Sequence, residues 1–338
     1  MTRFLVTGGA GFIGSHTATA LLQSGAEVRI LDNFATALRE NLRFLTGAEV
    51  LEGDVRSYHI VREAVDGVDF IIHQAALPSV PRSVRDPITS NDVNVVGTLN
   101  ILDAARDAKV KRLVFASSSS VYGDTPTLPK HEGMAPNPMS PYAVSKLTGE
   151  HYCRSFFRLY AFETVILRYF NVFGPRQNPN SEYAAVIPKF IEAVRDGRAP
   201  VIFGDGKQTR DFTYVENVVR ANLLACERDG VAGRTVNIAT GARVSLLELI
   251  EILERVVGKR TTPELRAARP GDVVHSYAAI EEARKVLGYE PTVSLEEGLR
   301  RTVASMSERR KPRTRPGGRR QDSGGSADTS GDPDSPGG

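Results

Sequence analysis

The sequence predicts an α/β fold: a doubly wound parallel sheet with a smaller α/β C-terminal cap and a polar tail. Three observations predict it. Six short apolar runs alternate with helix-length stretches over the first 170 residues. A glycine cluster stands between the first run and the first helix. The alternation then loosens, and residues 307–338 hold one aliphatic side chain, Ala327, among Gly, Ser, Pro, Asp and Arg.

The predicted strands are 4–7, 27–31, 49–52, 70–73, 113–116 and 164–169. They are rich in Val, Ile, Leu and Phe and lack inside/outside alternation, as expected of parallel strands buried on both faces. Helices are predicted at 13–24, 94–107 and 141–160, the last with Ser140 as N-cap and Pro141 at the first helical position. Strands alternating with helices imply βαβ units. After Phe170 the loops lengthen, and helices are predicted at 186–196, 216–227, 246–257 and 280–287. Residues 1–170, with a contribution from about 210–240, read as the sheet domain. Residues 171–306 read as the cap, and 307–338 as a disordered tail too apolar-poor to offset its ordering entropy.

A length of 338 residues fits about two domains. Hydrophobic residues make up 41% and charged residues 25%, ordinary for a globular protein. The net charge is +3, of which the tail carries +2. So small a surplus excludes a charge-driven nucleic-acid binder. There is no apolar run long enough for a membrane span. The two cysteines, Cys153 and Cys226, read as reduced thiols rather than a disulfide scaffold. The six histidines are scattered, and no metal is expected. The start MTRFLVTGGAG is too short in apolar residues for a signal peptide, so a cytoplasmic protein is expected.

The first strand runs into Thr7-Gly8-Gly9-Ala10-Gly11-Phe12-Ile13-Gly14. Gly8, Gly11 and Gly14 each have a physical role. The first allows a sharp turn, the second lets backbone N–H groups approach a pyrophosphate, and the third allows close helix packing. The phosphates would sit at a helix N-terminus, where unpaired N–H groups and the macrodipole favour anions. Asp32, ending the second strand, is placed to accept both adenosine ribose hydroxyls. A carboxylate there favours NAD over NADP. A tight turn with an N-cap aspartate accounts for the pieces but not for their joint context. Asp54 is placed for the adenine amino group, or as an N-cap for the next helix.

Within SPYAVSK, Tyr142 and Lys146 lie four apart, one turn apart on one helix face. A free tyrosine is a poor base because its pKa is about 10. A nearby ammonium, the helix N-terminus and a bound nicotinamide cation each stabilise the phenolate and move it toward acid/base range. Tyr-x3-Lys alone is a common helix pair. Here it follows a strand ending in Ser117-Ser118-Ser119-Ser120, where doubly wound folds bind ligands, and buried hydroxyls need partners.

These motifs resemble a known family, the extended short-chain dehydrogenase/reductases acting on nucleotide sugars, in particular the UDP-sugar 4-epimerases. TGGAGFIGSH, HQAALPSVPRSVRDP, ASSSSVYGD, SPYAVSK, LRYFNVFGPRQ and FGDGKQTRDFTYV occur in family order across about residues 3–305. The resemblance implies a Rossmann domain holding NAD and a cap holding a UDP-sugar. It implies Ser118, Tyr142 and Lys146 as catalytic residues. For the cofactor it implies the glycine loop with Phe12 and Ile13, then Asp32, Asn33, Asp54, Val55, Gln74, Ala75, Ala76, Asn94, Ser117, Tyr142, Lys146 and Tyr169. For the substrate it implies Ser79, Ser118, Ser119, Tyr142, Asn171, Ala185, Val186, Phe203, Arg210, Arg269, Asp272 and Ser276. Arginines suit phosphate because the guanidinium is a planar fork of donors. A homodimer through helices such as 141–160 is implied by analogy only. No nucleic-acid or membrane partner is expected.

The resemblance also orders the rival activities. Sugar 4,6-dehydratases usually carry Thr-Asp-Glu where this chain has Ser118-Ser119-Ser120, and UDP-glucuronate decarboxylases typically place Glu at the third position. Three hydroxyls favour epimerisation. Ser276, seven residues after Arg269, is small enough to admit a 2-N-acetyl group. The expected substrates are therefore UDP-GlcNAc/UDP-GalNAc, with UDP-Glc/UDP-Gal also open. UDP-glucuronate remains an alternative through the four-serine run. A non-catalytic NAD-binding regulator would be expected to lack Tyr142 or Lys146.

Overall fold

The computed structural model describes residues 1–178, 186–268 and 273–310. Seven strands form one sheet: β1 (Arg3–Thr7), β2 (Glu27–Asp32), β3 (Glu49–Glu52), β4 (Phe70–His73), β5 (Arg112–Ser118), β6 (Glu163–Tyr169) and β7 (Thr235–Ile238). Their order is β7-β6-β5-β4-β1-β2-β3, and every pairing is parallel. The first six are the predicted strands, with ends moved by at most two residues. β7 is not predicted: Thr-Val-Asn-Ile is short, half polar, and sits where the alternation has loosened.

The helices are α1 (Phe12–Gln23), α2 (Tyr58–Val65), α3 (Gly97–Asp107), α4 (Pro141–Tyr160), α5 (Val186–Asp196), α6 (Val215–Glu227), α7 (Leu246–Val257), α8 (Glu281–Leu287) and α9 (Leu295–Arg310). Alternate strand residues feed different cores. Phe4, Val6, Ile30, Ile72 and Val114 pack with Ala18 and Leu21 of α1 and Val218 and Ala221 of α6. Leu5, Leu31, Ile71, Leu113 and Phe115 pack with Val61 of α2, Ile101 of α3, and Cys153 and Phe156 of α4. Both faces are covered, which explains the unbroken apolar runs. The winding reverses between β1 and β4, and their carboxyl ends open the crevice that such a reversal creates.

Local signals act as expected at α4, where Ser140 Oγ accepts from Ala143 N at 3.2 Å and Pro141 opens the helix. α7 begins with a reciprocal Ser245–Glu248 capping box and ends at left-handed Gly258. The predicted 94–107 helix differs: its first part belongs to a π-helical turn over Asp92–Val96 that leads into α3. Two short helices, Val80–Arg85 and Pro87–Asn91, precede it.

Beyond Phe170 a separate core gathers Phe173, Phe190, Ile191, Phe212, Leu249 and Leu253. Its strands are short. Thr209–Arg210 lies between Val244–Ser245, antiparallel, and His275–Ser276, parallel. Val201–Phe203 pairs with Glu264–Arg266. α9 continues to Arg310, so its last residues occupy what the sequence reads as the start of the tail; 311–338 lie outside the described residues. Cys153 and Cys226 are buried free thiols, and burial pushes both thiols up, Cys226 to about 12. Among the described residues no helix is long and apolar enough to cross a membrane.

Candidate active site

The glycine loop forms one end of a cavity of about 600 Å³. Gly8 N donates to Leu31 O at 2.8 Å and Gly11 N to Gly8 O at 3.0 Å, closing a tight turn. Gly8 has φ +66°, and a Cβ there would lie 2.8 Å from Ala75 N; both facts require glycine. A Cβ on Gly14 would stand 2.1 Å from Gly8 O, so the third glycine lets the helix pack on its own loop. Gly11 is different: its Cβ would meet only Gly8 O, at 3.1 Å. It caps α1 with no side-chain bond, and no acidic residue occupies the first turn. The helix N-terminus thus presents unpaired N–H groups to the cavity, and these residues fit a dinucleotide pyrophosphate.

Asp32 lies on the cavity wall. Its Oδ2 accepts from Ala10 N at 3.0 Å and its Oδ1 from Phe34 N at 2.8 Å. Burial raises its carboxyl, opposed by these backbone donors. A carboxylate has about four acceptor positions, so its oxygens keep capacity for a ribose diol. Asp54 is more heavily used. The Arg56 side chain, the Arg56 backbone and Asn33 Nδ2 all donate to it, and Arg56 first among them holds it at about 2. Its neighbours Gly53, Val55 and Arg56 line the cavity; Asp54 itself does not.

Phe12, Ile13, Asn33, Gln74, Ala75, Ala76, Ser79, Ser117, Tyr142, Lys146 and Tyr169 also line the cavity. Ser118 is off the wall, and its hydroxyl is near enough to act on the Tyr142 phenol. Burial raises the Tyr142 phenol, and Ser118 pulls it down. The ammonium expected near the phenol does not bond it. Lys146 Nζ instead donates to Ala116 O at 2.9 Å, and burial lowers it to about 8. Ser117 Oγ is committed to Glu150 Oε1 at 2.6 Å. Ser119 begins a short 3-10 turn, and Ser120 Oγ is buried with no hydrogen-bond partner among the described residues.

Residues in and behind the walls, most of them not singled out by the sequence, brace the cavity. His73 is buried at the end of β4. Thr98 Oγ1 gives its one proton to Asn94 O at 2.6 Å, so at 3.0 Å it must accept from His73 Nε2–H. His73 Nδ1 is therefore the acceptor for Thr7 Oγ1, at 2.6 Å. Thr7 Oγ1 in turn accepts from Ala75 N. Asn94 holds the same loop, accepting from Leu77 N at 2.7 Å and donating to Ser145 Oγ at 3.0 Å. It braces the wall instead of lying on it. Arg176 lies on the wall and donates to Ser15 O and Thr19 Oγ1 of α1. No local spacing signals these long-range partners.

The cap residues are placed less centrally. Asn171 has φ +31° and donates to Asp211 O at 3.0 Å. Val186 opens α5. Phe203 pairs with Arg266. Arg210 and Ser276 are direct strand partners. None of the five lines the cavity of the glycine loop. Ala185, Arg269 and Asp272 lie outside the described residues.

Comparison with known proteins agrees with this geometry. Residues 4–239 match the family described as NAD dependent epimerase/dehydratase. A UDP-glucose 4-epimerase of Mycolicibacterium smegmatis is 41% identical over 308 residues, spanning 89% of this chain and 97% of the relative. Among solved structures, a UDP-N-acetylglucosamine 4-epimerase from Methanobrevibacter ruminantium is 39% identical with a TM-score of 0.87, covering 91% of this chain and 99% of that one. A Bacillus cereus UDP-glucuronic acid 4-epimerase, solved with UDP-glucuronic acid and NAD, is 34% identical with a TM-score of 0.85 and the same coverage. The chain belongs to the NAD-dependent epimerase/dehydratase family, grouped with its UDP-sugar 4-epimerases.

Proposed function

We propose that this chain interconverts UDP-sugars epimeric at C4 through a 4-keto intermediate, with UDP-GlcNAc/UDP-GalNAc as its preferred pair and UDP-Glc/UDP-Gal as a second. The observation that carries the reading is Tyr142 on the cavity wall with the Ser118 hydroxyl acting on its phenol, where among the described residues no carboxylate stands beside it. Among the described residues Asp32 is the one acidic side chain lining the cavity, and it is bound to the glycine loop. Elimination of water needs a further acid and base near the sugar, which these hydroxyls do not provide.

NAD, once bound, supplies the redox chemistry by accepting a hydride from C4 and returning it. The remaining steps fall to side chains. Tyr142 takes the proton of the 4-hydroxyl as the C4 carbonyl forms, and returns a proton to that oxygen after the keto sugar has turned about its diphosphate link. Ser118 shares the hydrogen bond through which the proton moves. Lys146, buried one turn along α4, keeps positive charge near the phenol without bonding it. Relatives named for glucose, N-acetylglucosamine and glucuronic acid substrates support the coarser reading; the N-acetyl preference rests on the small side chain at Ser276.

The test is a panel of UDP- and dTDP-sugars with products identified by NMR, run on wild type, Tyr142→Phe and Ser276→Tyr. Wild type should invert C4 without releasing water or CO2. Tyr142→Phe should lose about 10²–10⁴-fold in kcat. Ser276→Tyr should lose the acetylated pair while keeping UDP-Glc. Release of water or CO2 would sink the epimerase reading, and an equal loss on both pairs would sink the N-acetyl preference.

A further inference from the structure

Tyr142, Lys146 and Glu150 stand four residues apart on α4, so they rise from one face at successive turns. Three consecutive residues at the end of β5 answer them. Ser118 acts on the Tyr142 phenol and lowers it. Lys146 Nζ donates to Ala116 O at 2.9 Å. Glu150 Oε1 accepts from Ser117 Oγ at 2.6 Å. The first two contacts involve the groups assigned to proton transfer. The third involves a carboxylate that is fully buried and not on the cavity wall.

Glu150 is held as firmly as a side chain can be. Arg168 of β6 donates to both its oxygens, at 2.8 and 2.6 Å. Arg154 adds a bond of 2.8 Å. Burial alone would push the Glu150 carboxyl up, but Arg168, with Ser117 and Arg154, outweighs it and keeps the group below its ordinary value. A buried ion pair that loses one partner leaves the other uncompensated, so Glu150 cannot move without a large penalty.

We infer that the Ser117–Glu150 hydrogen bond, seated on Arg168, is a register pin: it fixes the height of α4 against the end of β5 and thereby the alignment of Tyr142 with Ser118. Ser117 and Glu150 are positioning residues. The inference rests on the reading that Tyr142 and Ser118 move the proton. A helix rises about 1.5 Å per residue, and a misplacement of about 1 Å at a reacting group costs about 100-fold. With the Lys146 contact still present, loss of the pin alone should cost about tenfold in kcat.

The experiment uses NAD-loaded protein and Ser117→Ala, which removes one hydrogen bond while leaving Glu150 its two arginines. Thr235→Ala is the control. Thr235 Oγ1 accepts from Arg154 at 3.0 Å, so it belongs to the same buried cluster but sits in β7. Tyrosinate absorbance is titrated for each protein, and subtracting the Tyr142→Phe curve isolates Tyr142. Then kcat, KM and NAD content are measured. Ser117→Ala should raise the Tyr142 midpoint and lower kcat per bound NAD about tenfold, with KM unchanged; Thr235→Ala should move neither midpoint nor kcat. A Ser117→Ala protein with wild-type midpoint and kcat overturns the pin. So does a Thr235→Ala protein that falls equally far, because the effect is then a general loosening of the cluster. Absence of turnover by the wild type overturns the functional reading instead, and the tyrosinate midpoint, which needs no substrate, still judges the pin.

Discussion

From β1 to β6 the chain returns to one cavity at almost every strand end. Gly8 follows β1, Asp32 ends β2, Ala75 follows β4, Ser117 lies at the end of β5 and Tyr169 ends β6. Each contribution is local, made by a strand and the turn after it. Beyond Phe170 the rule changes. Arg210 meets Ser276 across paired two-residue strands, and Asp211 accepts from Thr240 N at 2.9 Å, Thr240 Oγ1 at 2.6 Å and Gly241 N at 3.0 Å. The cap is assembled by contacts between segments far apart in sequence. The first region can therefore be damaged by a single backbone clash at the cavity, whereas the second should fail at the groups that tie distant segments together.

The largest expected effect is Gly14→Ala. Its Cβ would stand 2.1 Å from Gly8 O and 2.8 Å from Gly8 C. Both contacts are backbone, so the loop itself has to move. The protein should purify without NAD and with a lowered Tm, checked by the absorbance of released cofactor and by thermal unfolding. Wild-type NAD content in this variant would break the contrast between the two regions at its strongest point.

That contrast also explains what was legible. The six predicted strands and the helix over 141–160 follow from apolar runs, a proline and an N-cap serine, all local signals. The helix face that carries Tyr142 and Lys146 follows from a spacing of four. β7 was not legible because its four residues carry no periodicity. The roles of Asn94 and Asp54 were legible only as positions. Asp54 accepts from Arg56, two residues on, whereas Asn94 serves Leu77, a distant partner that no spacing reveals. His73 is the same case. A lone histidine ending an apolar strand gives no hint of Thr7 and Thr98, the hydroxyls that fix its tautomer.

His73 supplies the next test, at the level of stability. Burial first, and the Lys146 charge second, lower it from 6.5 to about 3. Its folded value lies below its unfolded one, so the unfolded chain takes the proton first as pH falls. The stabilisation is complete above pH 6.5 and is eroded between 6.5 and about 3. Over that window the slope from this group approaches about 1.4 kcal/mol per pH unit. Denaturant unfolding of wild type and His73→Asn at a series of pH values reads it directly. The variant should be less stable at neutral pH, yet lose less on acidification. Equal slopes for the two proteins would mean that His73 is not the proton-sensitive group of the sheet.

On the cofactor cavity the smallest effect should come from the cap, at Asp211. Its carboxylate is fully buried, and besides Thr240 and Gly241 it reaches Ala278 N at 3.4 Å. Asp211 thus sits between the strand holding Arg210 and the segment just after Ser276, so it ties together the two residues assigned to the substrate. Asp211→Ala leaves those backbone donors without their acceptor, which costs about 1–3 kcal/mol for each group that stays unsatisfied. Because among the described residues no Asp211 side-chain bond touches the glycine loop, NAD content should stay at the wild-type level. The loss should appear as a rise in KM for the UDP-sugar, about tenfold if the misplacement is worth about 1.4 kcal/mol, with kcat changed much less. A matching drop in NAD content would show that the two regions stand or fall together. A fall in kcat at constant KM would place Asp211 in the alignment of the reacting groups instead of in the holding of the substrate.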